Sequence, residues 1–280
     1  MSWLLLLFIN VIAISVASLF QRLAMKEKES DPVLSTTIFQ FILGLIVLPF
    51  AISRGFVFPP LVTLWPFFLF SSVLYAIGSV LFFKSIKLIE ASEMTVLAGV
   101  GAIVTMICAY FFLGERLVFH QYLGAALVLV SILIIAHRGK KFVFNKGALL
   151  ALLAASFFSF ATISDVLVIK SYDAISYAAM MSILPGLVLV ILYPKKMLQL
   201  PKAIKTIDKN LVIYSLIYSV GVITFYSALN KAMISQVSVV VKTNIILTVI
   251  LAAIFIKEND RLGQKILAAL ICMAGVMLVA

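Results

Sequence analysis

The sequence predicts an all-α integral membrane protein of ten transmembrane helices, arranged as two inverted five-helix repeats. Three observations lead to this prediction: an apolar composition, the spacing of long apolar runs, and an internal repeat. Of the 280 residues, 64% are hydrophobic and only 12% are charged. A soluble globule needs more polar surface than this composition supplies. We therefore expect the chain to lie in lipid.

Ten apolar runs follow one another along the chain, separated by short connections. Each run has roughly 18 to 22 residues, which at a rise of 1.5 Å per residue crosses a hydrocarbon core of about 30 Å. The first run lacks a basic leader and belongs to the repeat, so we expect it to stay as a helix instead of being cleaved as a signal peptide. The predicted spans are 3–20, 33–52, 64–83, 92–113, 119–136, 147–168, 175–193, 211–229, 235–256 and 262–280.

The two halves of the chain are related by a constant offset of 143 residues. In the ungapped alignment of 75–137 with 218–280, fifteen of the 63 pairs are identical, among them Gly78/Gly221 and Glu115/Glu258. Polar and glycine identities in one register are hard to obtain from shared apolar composition alone. Since each half holds five spans, the second half enters the membrane from the opposite side. We therefore divide the chain into a first repeat at 1–137, a basic linker at 138–146 and a second repeat at 147–280.

Lysine and arginine are unevenly distributed over the connections. Seventeen of them lie on or beside odd-numbered connections and four on even-numbered ones. Short loops rich in these residues stay in the cytoplasm, which predicts a cytoplasmic linker and both termini outside. This asymmetry accounts for the formal charge of +11, so the charge does not indicate nucleic acid as a partner. We expect a multi-pass protein of a bacterial or archaeal plasma membrane.

Two motifs carry a resemblance to a known family. FLGERL at 112–117 is followed by QYLGAAL at 121–127, and the second half echoes them with IKEND at 256–260, Gln264 and AAL at 268–270. Together with the two five-helix halves, these residues resemble the drug/metabolite transporter superfamily, and within it the EamA-type permeases. The resemblance covers essentially the whole chain. It implies a ten-helix, exporter-like carrier of amino acids, other metabolites or toxic compounds, and it does not indicate which.

Ionisable side chains inside apolar spans are costly and mark candidate sites. Glu93, Asp165 and Lys242 are the three such residues. Lys242 lies roughly 10 Å into its helix, and its repeat partner is Gly99. We expect Lys242 to face a water-accessible central cavity, with a substrate carboxylate or Asp165 as its partner. A purely structural ion pair would explain the lysine as well.

The two carboxylates have alternative explanations. Asp165 lies near the end of its span and is compatible with an interfacial position, and Glu93 at the start of the fourth span complements the helix dipole. Proton coupling through either one would need a raised pKa. Ser238 precedes Lys242 by one turn and lies on the same helix face, and we include it among the substrate-binding candidates.

Three tyrosines complete the candidate substrate site. Tyr75 and Tyr218 occupy equivalent places in the third and eighth spans, and Tyr226 lies one or two turns deeper. An aromatic ring with a polar tip suits an amphipathic pocket, although tyrosine is also common in the interfacial belt. For Glu258, which ends the ninth span beside Lys257, we expect a local ion pair.

The leading functional hypothesis is a secondary transporter, an exporter of small metabolites such as amino acids or amphipathic compounds, that works by alternating access. The sequence contains no P-loop for ATP coupling, so a proton or sodium gradient is the expected driving force. We expect no cofactor, a small-molecule substrate, contact with membrane lipid, and compatibility with a homodimer. The alternative is a membrane-embedded lipid-active enzyme or a lipid-related flippase. An enzyme needs converging nucleophilic, acid–base or metal-binding groups, which the three scattered ionisable residues do not provide.

Overall fold

The structure is a computed structural model that describes residues 2–27, 30–113, 118–138, 141–142, 145–231, 237 and 240–279. The first half contains α1 (Trp3–Lys26), α2 (Pro32–Ser53), α3 (Leu61–Leu88), α4 (Ala91–Leu97), α5 (Val100–Leu113) and α6 (Phe119–Ala136). Two short strands, β1 (His137–Arg138) and β2 (Lys141–Phe142), pair in antiparallel fashion at the junction. The second half contains α7 (Lys146–Ile169), α8 (Ala174–Leu192), α9 (Pro194–Met197), α10 (Leu200–Lys205), α11 (Lys209–Leu229), α12 (Asn244–Phe255) and α13 (Leu262–Val279).

Polar caps fix the starts of several helices. The first N–H groups of a helix have no partner within the helix, and side chains just before it accept from them. Asp31, Asn145, Asp173 and Asp208 do so for α2, α7, α8 and α11. The helices therefore begin at residues that the sequence already marks as caps.

Nine helical segments in the described part of the chain are long and apolar enough to cross a membrane, counting α4 with the start of α5 as one segment. The chain is thus a helical, multi-pass integral membrane protein. Nine of the ten predicted spans have such a counterpart. The remaining one, at 235–256, is described only in part, chiefly as the shorter apolar helix α12.

The helix pairs that pack most extensively link one half of the chain to the other. These pairs are α1 with α11, α3 with α7, α2 with α8, and α6 with α13. At the 143-residue offset α1 corresponds to α7 and α11 corresponds to α3, so the first two pairs are equivalent contacts. α2 corresponds to α8 and α6 to α13, so each of the other two pairs joins a helix to its own counterpart. The packing therefore has the pattern of a pseudo-twofold arrangement.

Close approach of α6 and α13 depends on two glycines. A Cβ at Gly124 would lie 2.5 Å from the carbonyl oxygen of Gly275, and a Cβ at Gly275 would lie 2.7 Å from that of Gly124. Small residues let transmembrane helices pack backbone to backbone, where dispersion contacts are most numerous. This contact joins the ends of the two halves.

The predicted fourth span is not one continuous helix. α4 ends at Leu97 and α5 begins at Val100, and the N–H groups of Gly99, Gly101 and Ala102 bond three residues back instead of four. The ninth span tightens at the equivalent place, where Thr243 N–H bonds Val240 and Ile245 N–H bonds Lys242. Mid-helix tightening of this kind often marks a hinge, and it occurs here at Gly99 and at its repeat partner Lys242.

Candidate functional site

A buried carboxylate surrounded by hydroxyl groups lies between four helices. Asp165 of α7 is 6% exposed. Tyr177 of α8 and Ser71 of α3 donate to its Oδ1, the latter over 3.3 Å, and Tyr75 of α3 donates to its Oδ2. Tyr226 of α11 is an electrostatic neighbour of the same carboxylate. We call these five residues the Asp165 cluster.

Aromatic rings enclose the Asp165 cluster. The ring of Phe68 lies 5.2 Å from that of Tyr177, and Tyr177 lies 6.2 Å from Tyr226. Trp65 packs against Phe68 at 5.9 Å, and its indole Nε1 is buried with no hydrogen-bond partner in the described part of the chain. The carboxylate therefore lies in an aromatic, low-dielectric environment.

A column of tyrosines on α11 leads away from this cluster. Tyr214 and Tyr218 are one turn apart with ring centroids at 5.5 Å, and both pack on Phe39. Tyr226 lies two further turns along α11, about 12 Å from Tyr218 at 1.5 Å per residue, and contacts the cores around both Tyr218 and Asp165. We call Tyr214, Tyr218 and Tyr226 the aromatic lane of α11; Val222 lies between its second and third members.

Lys242 lies at the tightened turn before α12. Its electrostatic neighbour is Cys272 of α13, whose thiol also contacts the carbonyl oxygen of Val96 at 3.5 Å. A Cβ at Gly99 would lie 2.3 Å from the same sulfur atom. Cys272 therefore lies against the first helix break, at Gly99, and interacts electrostatically with Lys242 at the second.

A second polar cluster joins the two halves at another level. Glu258, which follows α12, accepts hydrogen bonds from Ala91 N (3.0 Å), Ser92 N (3.1 Å) and Ser92 Oγ (2.8 Å), and its Oε1 lies 3.5 Å from Nε of Arg22. The carboxylate thus caps α4 across the interface between the halves and complements the helix dipole there.

Further ion pairs extend this contact. Arg261 Nη2 donates to Glu93 Oε1 over 2.6 Å. Lys265, which is fully buried, pairs with Glu90 and donates to the carbonyl oxygen of Glu258 over 3.1 Å. We refer to the whole set as the Glu258 network, and its members are Arg22, Glu90, Ser92, Glu93, Glu258, Arg261 and Lys265.

The Asp165 cluster and the Glu258 network lie at different depths along α3. Arg22 donates to the carbonyl oxygen of Ile86 near the end of α3, whereas Asp165 contacts Ser71 and Tyr75. The separation of 11 to 15 residues corresponds to about 17–22 Å along the helix. The two polar clusters therefore lie at well-separated levels along α3.

The structure brings some of the predicted site residues together and separates others. Asp165, Tyr75 and Tyr226 meet in one cluster, and Tyr218 lies further along the same aromatic lane. Glu93 is only 4% exposed and is paired with Arg261. Ser238 lies outside the described residues.

One of the two partners expected for Lys242 is not found among the described residues, and the ion pair expected for Glu258 was wrong. Lys242 and Asp165 form no ion pair in the described chain, because the three hydroxyl groups already surround Asp165 while Lys242 lies beside Cys272. Glu258 pairs with Arg22 instead of its neighbour Lys257. The backbone turns at Lys257 with a positive φ of 57°, and Glu258 faces α4.

Several residues of both clusters were missed from the sequence. Ser71 lies one turn before Tyr75, so a helical face shared with that tyrosine was the available signal. Tyr177 had no such signal beyond its polar tip. Arg22 aligns with Asp165 at the 143-residue offset. In the sequence it is an ordinary basic residue near a helix end, so only the tertiary structure shows its role.

Comparison with known proteins agrees with this architecture. The model of the EamA-like transporter family matches residues 1–137 and 145–280. The chain belongs to this family. Members are transporters by the family's description.

Two individual relatives add detail on sequence and fold. The uncharacterized protein y4nH of Sinorhizobium fredii (strain NBRC 101917 / NGR234) is 38% identical over 77 residues, which cover 27% of this chain and 66% of that protein. A crystal structure matches 99% of this chain and 95% of its own with a TM-score of 0.58 at 15% identity. At this identity the match concerns the fold alone.

Proposed function

We propose that this EamA-family protein is a secondary carrier that exports small amphipathic metabolites, such as amino acids, by alternating access. The observation that carries the proposal is the Asp165 cluster, a buried carboxylate among aromatic hydroxyls contributed by α3 of the first half and α7, α8 and α11 of the second. A site built from both halves changes its exposure when the halves move relative to each other.

An inverted arrangement of the halves is part of this proposal. Arg22 near the end of α1 contacts the end of α3, while Asp165 near the end of α7 contacts the first half of α3. These contacts support opposite directions for α1 and α7. We accordingly propose that 1–137 and 147–280 are two inverted five-helix repeats joined by the basic linker, with the Glu258 network on the cytoplasmic side.

The Glu258 network supports a gate on that side. It ties α1 and α4 of the first half to Glu258, Arg261 and Lys265 of the second through ion pairs and a helix cap. Rocking one half against the other would have to break these contacts. The structure then corresponds to a carrier closed at the network, with a proton or sodium gradient driving the change of state.

Purified protein in proteoliposomes tests the proposal. Candidate substrates come from metabolite profiling of cells that lack or overproduce the protein, and flux is measured with and without a pH or sodium gradient. Asp165→Asn keeps the shape of the side chain and should abolish flux, whereas Glu27→Gln, at an exposed side chain outside both polar clusters, should leave it unchanged. If flux with and without a gradient equals the flux of protein-free vesicles, the carrier proposal is rejected.

Lys242 is a second proposed substrate contact, for an anionic group. Lys242→Met keeps much of the stem but removes the charge and three donors. If Lys242 binds substrate, flux should fall sharply while thermal stability in detergent is kept. Unchanged flux with unchanged stability would reject this role.

A further inference from the structure

The geometry points to an organic cation, a primary or quaternary ammonium group on an apolar or aromatic body, as the ligand of the Asp165 cluster. This inference rests on the proposed transport function and adds the chemical class of the substrate. It follows from the aromatic rings around the carboxylate and from two absences within the described chain: no counter-ion lies at Asp165, and the hydroxyl group of Tyr226 has no hydrogen-bond partner.

The first step concerns charge. Asp165 is buried, and its hydrogen bonds come from three neutral hydroxyl groups, those of Ser71, Tyr75 and Tyr177. In the described chain no lysine or arginine forms an ion pair with it. Hydroxyl donors offset only part of the cost of burying a carboxylate. A cation brought by a ligand would supply the missing counter-charge.

The second step concerns the ring faces. Phe68, Tyr177 and Tyr226 follow one another at centroid separations of 5.2 and 6.2 Å. Aromatic faces attract ammonium groups, most strongly where water is excluded. An anionic ligand would be repelled by the carboxylate and would gain no such attraction from the rings, so this environment selects against it.

The third step concerns access. Tyr226 is half-buried, and its hydroxyl group forms no hydrogen bond within the described part of the chain, unlike those of Tyr75 and Tyr177. Tyr226 also belongs to the aromatic lane of α11. Tyr214 is only 4% exposed, so the lane is closed in this state. A ligand enters at the side of Tyr226, when the halves move apart.

Binding of three matched probes tests the inference: the 2-phenylethylammonium ion, neutral 2-phenylethanol and anionic phenylacetate. The chain has two tryptophans, so a Trp3→Phe background leaves Trp65, beside Phe68, as the fluorescent reporter. We expect the ammonium probe to bind at least about tenfold more tightly than the other two, from the charge and ring contacts together. Equal affinities, tighter binding of phenylacetate, or no binding of the ammonium probe would overturn the inference.

Variants locate the binding. Asp165→Asn should lower the affinity for the ammonium probe to that for the alcohol, while Asp173→Asn, which removes a nearby charge but keeps a helix cap, should not. Retained ammonium selectivity in Asp165→Asn overturns the inference. If that variant does not fold, Tyr226→Phe and Tyr226→Leu serve as a second pair. Tyr226→Phe keeps the ring and should preserve the affinity for the ammonium probe, whereas Tyr226→Leu removes the ring and should lower it. Equal affinities in the two variants contradict the contribution of the ring.

Flux of the same probes separates this inference from the transport proposal. Flux of phenylacetate or phenylethanol that is lost in Asp165→Asn would keep the carrier and its site but overturn the cation. Ammonium binding that depends on Asp165 without any flux would keep the cation site and overturn the carrier.

Discussion

Replacing Glu258 with glutamine is expected to weaken the contact between the two halves at the Glu258 network. The side chain is 7% exposed, accepts three hydrogen bonds from Ala91 and Ser92, and pairs with Arg22. Glutamine keeps the shape and one acceptor oxygen. Its NH₂ group, however, points donors at the N–H groups of α4, and the charge opposite Arg22 is lost.

The size of the effect follows from these contacts. Loss of a helix cap costs about 0.5–2 kcal/mol, and removing one member of a buried ion pair costs about 3–5 kcal/mol. Because one oxygen stays and Arg22 retains the carbonyl oxygen of Ile86 as an acceptor at 2.5 Å, we expect about 2–3 kcal/mol. An apparent melting temperature lower by about 5–10 °C corresponds to this range.

The assay follows both stability and gate opening. Leu23 lines a small cavity of about 110 Å³ with Arg22 and Glu258, so a cysteine at position 23, in a background with Cys108 and Cys272 changed to serine, reports opening of this side. A loss of about 2 kcal/mol in the closed state alone shifts the equilibrium roughly 30-fold toward the open state. Maleimide labelling of the cysteine should accelerate accordingly.

Matched variants decide what the result means. Glu27→Gln neutralises an exposed carboxylate at the end of α1 and should change neither quantity. Ser92→Ala removes one of the donors to Glu258, so its effect and that of Glu258→Gln should be less than additive. The reasoning is refuted if Glu258→Gln has the melting temperature of the wild type and its introduced cysteine is labelled at the wild-type rate.

Three further predictions address packing, pH and orientation. Gly124→Ala should destabilise the protein by about 1–3 kcal/mol through overpacking against α13, whereas Gly263→Ala, where a Cβ meets nothing within 4 Å, should not, and equal melting temperatures would contradict the close contact. Burial opposes ionisation of Asp31, but the hydrogen bonds from Lys196, Leu34 and Val33 outweigh it and hold the pKa of Asp31 below its usual 3.8. A depressed folded-state pKa gives stabilisation that is present above the unfolded pKa and lost as the pH falls through the folded value. The melting difference between wild type and Asp31→Asn should therefore be constant from about pH 7 to 5, begin to shrink near the unfolded value of 3.8 and disappear only once the pH is below the lower folded value. It should be small, about 0.5 kcal/mol, since the pair is partly exposed; a difference that persists at pH 2 contradicts this. A cysteine introduced in the 195–209 connection should react with an impermeant reagent in inverted vesicles and not in intact cells, and the opposite pattern would reverse the orientation.

The membrane class, the positions of most spans and the internal repeat could all be predicted from the sequence. These features depend on composition, run length and register, which are local or additive properties of the chain. The sequence also selected Asp165, Tyr75 and Tyr226, since a carboxylate or a phenol inside an apolar run is unusual wherever its partners lie.

The tertiary structure alone decided which of these residues meet. Ser71 and Asp165 are 94 positions apart, and Ala91 and Glu258 are 167 apart. Helical periodicity gives the face of a helix on which a residue lies, but not the neighbour that this face contacts. For this reason the plausible pair of Lys242 with Asp165 was wrong, and the capping of α4 by Glu258 was not foreseen. The break after Leu97 also escaped prediction, because an apolar run reads alike whether its backbone bonds four residues back or three.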